Sequence, residues 1–277
     1  MDVPALQERF RLRADGSGVN AVTFSSDSQT VFAGTGSGGK SDYQVLAWGL
    51  DGGKLEHVFD RHGTVVLCVA VSPDGKTLAS GDIEGNVKLW DVPAGVNPKE
   101  LMTHQARLSF KTPTGSISSL AFSPDGTMLA TGAMDARLWD VATGKERRAF
   151  KTEQGGVNSL AISPDNELLA ITGLNTTGEP RVYEVATGEE YARVSVKAQA
   201  VVFGPGHKLY TAGPQGIVQI WDLTKQGAKR LEKQIRIGPG GGWIEQLVLT
   251  PDGRHLLTRN YNGTTYILRL DTAARPT

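Results

Sequence analysis

One stretch of the 277-residue chain matches a phosphate-binding pattern letter for letter: Gly34 to Ser41 reads GTGSGGKS, which satisfies G-x-x-x-x-G-K-[ST]. That chemistry needs a helix after the lysine, whose free amide groups turn towards the phosphates. Tyr43 to Trp48 follows instead and has the pattern of a strand, so the stretch is expected to be a glycine-rich hairpin loop without a nucleotide. The five histidines, His57, His62, His104, His207 and His255, show no metal-ligand spacing. The single Cys68 excludes an internal disulfide and a thiolate cluster, and its place inside the alternating segment Val66 to Val71 reads as packing. Asp74, Asp125, Asp165 and Asp252 recur, but each stands alone in its turn, without the closely spaced oxygens of a calcium loop. They read as turn formers. No cofactor and no metal is expected.

The elements that would hold any site come next. With 29 Lys plus Arg against 29 Asp plus Glu the chain is formally neutral, which argues against a dedicated nucleic-acid binder. The basic run Lys225, Lys229, Arg230, Lys233 and Arg236 reads as a solvated rim. Hydrophobic residues at 39 % and charged ones at 21 % are near the globular norm, so the chain should fold. No apolar run approaches the roughly 18 residues that span a bilayer, and the opening MDVPALQERF has no signal-peptide core. The expectation is a cytoplasmic protein without a membrane or nucleic-acid partner. The 34 glycines and 13 prolines imply many tight turns and few long helices.

A repeat decides the fold. Ser-Pro-Asp-Gly stands intact at Ser72 to Gly75 and Ser123 to Gly126, with variants at Ser25 to Ser28, Ser163 to Asn166, Gly204 to His207 and Thr250 to Gly253, a mean period of 45 residues. Each turn joins an alternating segment, such as Ile117-x-x-Leu120-x-Phe122, to a second apolar run, such as Met128 to Thr131, which makes a hairpin. The innermost strands are placed near 19–24, 66–71, 117–122, 157–162, 198–203 and 244–249. A third strand ends in Trp-Asp-Val at Trp90 and Trp139 and in Trp-Asp-Leu at Trp221, with Trp48, Tyr183 and Leu268 in the other copies. An apolar residue seven positions before each innermost strand, among them Leu12, Phe59, Phe110 and Phe150, marks a fourth. Leu12 lies in the leader, with Arg9, Arg11 and Arg13 alternating around Phe10 and Leu12, while the last copy ends after its third strand. The N-terminal strand is therefore expected to complete the last sheet.

From about Arg9 to Leu270 these features resemble the WD40-repeat family of β-propellers, with regular repeats like those of bacterial members. The resemblance implies an all-β, six-bladed propeller of four-stranded antiparallel blades, a single domain over 1–277. The longest gap between turns is assigned to a connector, Pro93 to Gln105. In the family a His joins a Ser or Thr, an acidic residue and the Trp in a buried network; by alignment these are His62, Ser80, Glu84 and Trp90, with Glu where Asp is usual. The other five blades carry Asp15, Pro113, Glu153, Val194 and Gly240 in the His slot and are expected to lack the network.

The resemblance also implies where a partner would bind. Positions on either side of the first apolar residue of each innermost strand face the top of the channel, and carry over to Asn20, Leu67, Asn158, Lys197, Gln199, Trp243 and Glu245 among others. A further position, in the loop after the second strand, yields Ile83, Met134 and Tyr261. Exposed Trp, Tyr and Met beside Lys and Glu is the composition of a binding hot spot. The expected function is a non-catalytic scaffold that holds a protein or peptide, with Trp243 and Tyr261 as anchors. The alternatives are a small-molecule-binding or hydrolytic propeller, the latter suggested by the Ser-His-acid set, and a structural module docking onto a larger protein.

Overall fold

The computed structural model describes residues 11–14, 18–36, 43–93, 102–152, 155–173, 178–225, 228–237, 242–250 and 252–270. The glycine-rich hairpin loop expected over Gly34 to Ser41 falls mostly outside them, at 37–41. Contacts divide the chain into two compact units, Met1–Ile117 and Ser118–Thr277.

Unit 1 carries two sheets. The first runs β1 (Val19–Phe24), β2 (Thr30–Thr35), β3 (Val45–Gly49) and β4 (Leu55–Phe59), and the second β5 (Val66–Val71), β6 (Thr77–Asp82), β7 (Asn86–Asp91) and β9 (Leu108–Lys111). The connector is not all loop: β8 (Met102–His104) adds to the outer edge of β4 in parallel. Unit 2 carries four sheets: β10 (Ser119–Phe122) to β13 (Glu146–Phe150), β14 (Val157–Ile162) to β17 (Glu190–Arg193), β18 (Ala200–Gly204) to β21 (Ala228–Arg236), and β22 (Ile244–Leu249), β23 (His255–Asn260) and β24 (Thr265–Arg269). The strand order makes six propeller blades of an all-β chain. Residues 11–14 are in no strand, so around Leu12 the described residues hold no outer strand, and the last sheet has three.

The repeated turn works through one hydroxyl and one carboxylate. Ser72 Oγ donates to Asp74 Oδ1 at 2.6 Å, the N–H of Lys76 donates to the same oxygen at 3.0 Å, and the N–H of Thr77 donates to Ser72 Oγ at 2.9 Å. Ser25 with Asp27, Ser123 with Asp125, Ser163 with Asp165 and Thr250 with Asp252 repeat it. These bonds favour the charged carboxylate, and the Ser72 hydroxyl, then the Lys76 N–H, lead in holding Asp74 below its ordinary value. Blades then pack through glycine. A Cβ on Gly34 would meet Val66 at 2.7 Å, on Gly81 it would meet Ile117 at 2.6 Å, and on Gly132 Val157 at 2.5 Å. Each is a second-strand residue against which the next innermost strand seats its first apolar side chain, and any larger residue would push the blades apart.

In blade 2 the Trp-bearing strand meets a buried polar network. His62 Nδ1 lies 3.0 Å from Asp82 Oδ2 and Nε2 lies 2.5 Å from Ser80 Oγ, with all three residues buried. The acid is Asp82, which corrects the assignment to Glu84. Asp82 ends β6 and caps the following turn, its Oδ1 accepting the N–H groups of Glu84 and Asn86 at 2.9 and 2.8 Å, so Glu84 contributes only backbone to it. Burial works against the Asp82 charge, but hydrogen bonds from His62 and Asn86 outweigh it and hold the carboxyl below its ordinary range. Trp90 packs edge-on against His62 at 5.9 Å, and its Nε1 has no hydrogen-bond partner. In blades 3 and 5, Trp139 and Trp221 donate instead to Thr131 and Thr211, at 2.9 and 3.1 Å.

Candidate functional site

The positions flanking the innermost strands acquire their direction from β-bulges. The β1–β2 pairing passes from Val19 to Ala21, β5–β6 from Val66 to Cys68, β14–β15 from Val157 to Ser159, and β22–β23 from Ile244 to Gln246. The residues left unpaired are Asn20, Leu67, Asn158 and Glu245. An unpaired bulge residue re-aims its side chain.

Two of the four reach main-chain carbonyls further along the chain, Asn20 from an exposed position and Asn158 from a half-buried one. Asn20 Nδ2 donates at 3.0 Å to the carbonyls of Gly36 and Val66, and Asn158 Nδ2 donates at 2.7 Å to that of Gln199. Ser118, ahead of β10, donates likewise to the carbonyl of Val157 at 2.5 Å. These side chains hold one innermost strand to the next, a role the sequence did not reveal. The signal that could have found it is the small polar residue recurring after the first apolar one. Gln199 contributes backbone to the same system, accepting from Asn158 and from Thr172 Oγ1 at 2.9 Å. Leu67 is half-buried. Glu245 turns outward and pairs with Arg259 at 3.0 Å.

The remaining candidates are exposed. Ile83 of unit 1 is 48 % exposed, and in unit 2 Met134, Trp243 and Tyr261 reach 59 %, 41 % and 79 %. Trp243 borders a cleft of about 470 Å³ whose other walls are Val196, Lys197, Thr211, Ala212, Pro214, Gln215, Ile217 and Gln219. The N–H of Tyr261 donates to the Trp243 carbonyl at 2.9 Å, which ties the two aromatic residues together at the backbone. Gln215 occupies the wall with a positive φ of 68°, a conformation that a non-glycine residue holds only at some strain. The buried Oε1 of Gln219 has no partner, and Lys197 forms no ion pair among the described residues.

The Ser-His-acid set and the cysteine are both enclosed. Ser80 and Asp82 are fully buried and His62 nearly so, which leaves the Ser-His-acid set no surface for a substrate. Cys68 is buried, its Sγ 3.3 Å from the Ile117 carbonyl, and burial pushes its thiol far above the ordinary range. Among the described residues, no three His, Cys, Asp or Glu side chains cluster as metal ligands, and no helix is long and apolar enough to cross a membrane.

Comparison with known proteins places WD40 repeats in the chain. The model of "WD domain, G-beta repeat" matches residues 53–91, 105–140 and 144–177. The chain is 33 % identical over 123 residues to apoptotic protease-activating factor 1 of Homo sapiens, an alignment covering 43 % of this chain and 9 % of that protein. It is 34 % identical over 105 residues to small ribosomal subunit protein RACK1y of Oryza sativa subsp. japonica, covering 37 % and 28 %. The target of rapamycin complex subunit wat1 of Schizosaccharomyces pombe aligns over 82 % of this chain and 71 % of its own length at 26 % identity. Among solved structures, a chain of the mitotic checkpoint complex superposes with a TM-score of 0.76 at 20 % identity, covering 93 % of this chain and 76 % of that one, a likeness of fold. With its repeated Trp-Asp strands and turns, the chain carries WD40 repeats over these three stretches and has the six-bladed β-propeller fold.

Proposed function

We propose that the chain is a non-catalytic scaffold that holds a protein or peptide partner at the face bearing Trp243 and Tyr261. The observation that carries this reading is the cleft beside Trp243, where a large half-exposed aromatic ring, an unpaired lysine and a buried amide acceptor without a donor lie together. Aromatic side chains at the mouth of a pocket supply most of the binding energy in protein interfaces. Lys197 and the Glu245–Arg259 pair supply polar contacts that set orientation. Asn158 ties the strand that carries it to the Gln199 carbonyl beside Lys197. Met134, also in unit 2, is a further exposed apolar side chain open to a partner.

The relatives include a subunit of a complex and a ribosomal subunit protein by name, which is in keeping with assembly as the work of the fold. The test is capture of partners from a native lysate with the purified chain, beside a Trp243→Ala, Tyr261→Ala double variant of unchanged thermal unfolding. A partner held by the parent and lost by the variant supports the reading, and each anchor should contribute about 2 kcal/mol or more. A partner held equally by both moves the site to another face.

A further inference from the structure

The strand β8 is an addition that the repeat does not require, and its attachment is unusual. It pairs with β4 over three residues in parallel, His57 with Met102, Val58 with Thr103 and Phe59 with His104, whereas the other ladders among the described residues are antiparallel. Met102 and Thr103 are exposed, so little apolar surface holds the strand down. His104 is its inward anchor. Its ring stacks on Phe59 at 5.1 Å and meets His57 edge-on at 4.9 Å, with Nε2 of His104 3.0 Å from Nδ1 of His57. The carbonyl of His104 also accepts the N–H of Asp60 at 2.8 Å. A three-residue parallel pairing is weak by itself, so the imidazole contact decides whether it persists.

We propose that β8 is a pH-released strand, latched to the outer edge of blade 1 by the hydrogen bond between His57 and His104. In the neutral pair one ring donates its N–H to the lone pair of the other. A first proton is tolerated, because an imidazolium can donate to a neutral ring. A second leaves two N–H groups, each on a cation, facing one another across 3.0 Å with no acceptor between them.

The surroundings offer no compensation. On β3 the residue opposite His57 is Ala47, on β8 the residue beside it is Met102, and on its own face of β4 the neighbour is Phe59, backed by Trp90 of β7. The nearest charges lie elsewhere: Glu56 on the opposite face of β4 with Lys54 and Asp51 about it, Asp60 3.8 Å from Lys88, and Asp91 2.9 Å from Arg107. Neither ring has a carboxylate partner among the described residues. Burial, and for His57 also the neighbouring imidazole, lowers the proton affinity of both rings below the ordinary histidine value of 6.5. Released rings bind protons more readily, so the latch is complete above that value and fails as pH falls below it.

Amide hydrogen exchange on the intact chain tests this, measured at about pH 7.5 and about pH 5 and corrected for the intrinsic rate. The expected result is a loss of protection over 102–104 and at Asp60 of about tenfold or more at the lower pH, with β14 and β15 unchanged. The His57→Gln and His104→Gln variants replace a titrating ring by a neutral amide, and far-ultraviolet circular dichroism checks that each folds. Whether β8 stays docked in them or not, the ratio between the two pH values should fall close to one. A parent ratio below about twofold, or a parent-like ratio in both variants, overturns the proposal.

Discussion

Blades 2 and 3 fasten the same Trp-bearing strand in two ways. Ser80 and Thr131 occupy equivalent places, two residues past the leucines that pair with Trp90 and Trp139. In blade 3, as in blade 5, the threonine hydroxyl accepts the indole N–H. In blade 2 the hydroxyl faces His62, which leans on Asp82, and the indole is left unpartnered. The slots that hold His62 and Asp82 hold Pro113 and Ala133 in blade 3. The difference teaches that one hydroxyl serves either joint, and that the acid and the histidine determine which partner it takes. The simple joint loses one bond when broken; the network strands buried polar groups.

Breaking the network should have the largest effect. Asp82→Ala leaves the His62 ring and the N–H groups of Glu84 and Asn86 without their acceptor, and should destabilise the fold by about 3 to 5 kcal/mol in urea unfolding. A loss below about 1 kcal/mol would make the two joints equivalent after all. Thr131→Val and Thr211→Val keep the shape of the side chain and remove the acceptor, and each should cost about 1 to 2 kcal/mol in the same measurement.

The pH dependence sharpens the contrast further. Because the Asp82 carboxyl is held below its ordinary 3.8, its contribution is fully present above that value and is lost as pH falls through the depressed one. Asp82→Asn should therefore flatten the acid limb of stability against pH relative to the parent, whereas Thr131→Val should leave that limb parallel. Trp243→Ala is the smallest case: it touches neither joint and should move unfolding by less than about 0.5 kcal/mol while weakening partner binding.

The repeat made most of the fold legible. Period, turn chemistry and the placing of Trp-Asp are local properties, and they located the inner strands to within two residues even where β10 and β18 start late. What escaped depended on contacts between distant segments. The acid of the network was read at Glu84, although Asp82-x-x-Gly85 is a turn sequence in which an aspartate caps the amides that follow. The bridging hydrogen bonds of Asn20 and Asn158 could not be read either, because a bulge cannot be seen in a single strand; it exists only in the pairing. The strand β8 has too few residues for any periodicity, and its identity comes from the edge it meets.

The polar residues that bridge successive blades carry a consequence for how the chain is made. Asn20, Ser118 and Asn158 each reach forward to a carbonyl 46, 39 and 41 residues later, on or directly before the strand that opens the next blade. During synthesis each clasp stays open until its successor has emerged, so a blade becomes fixed one step behind the ribosome. The acceptor is always main chain and asks nothing of the incoming side chains. A blade copied into this series would be gripped as readily as the original, whatever its surface had since become.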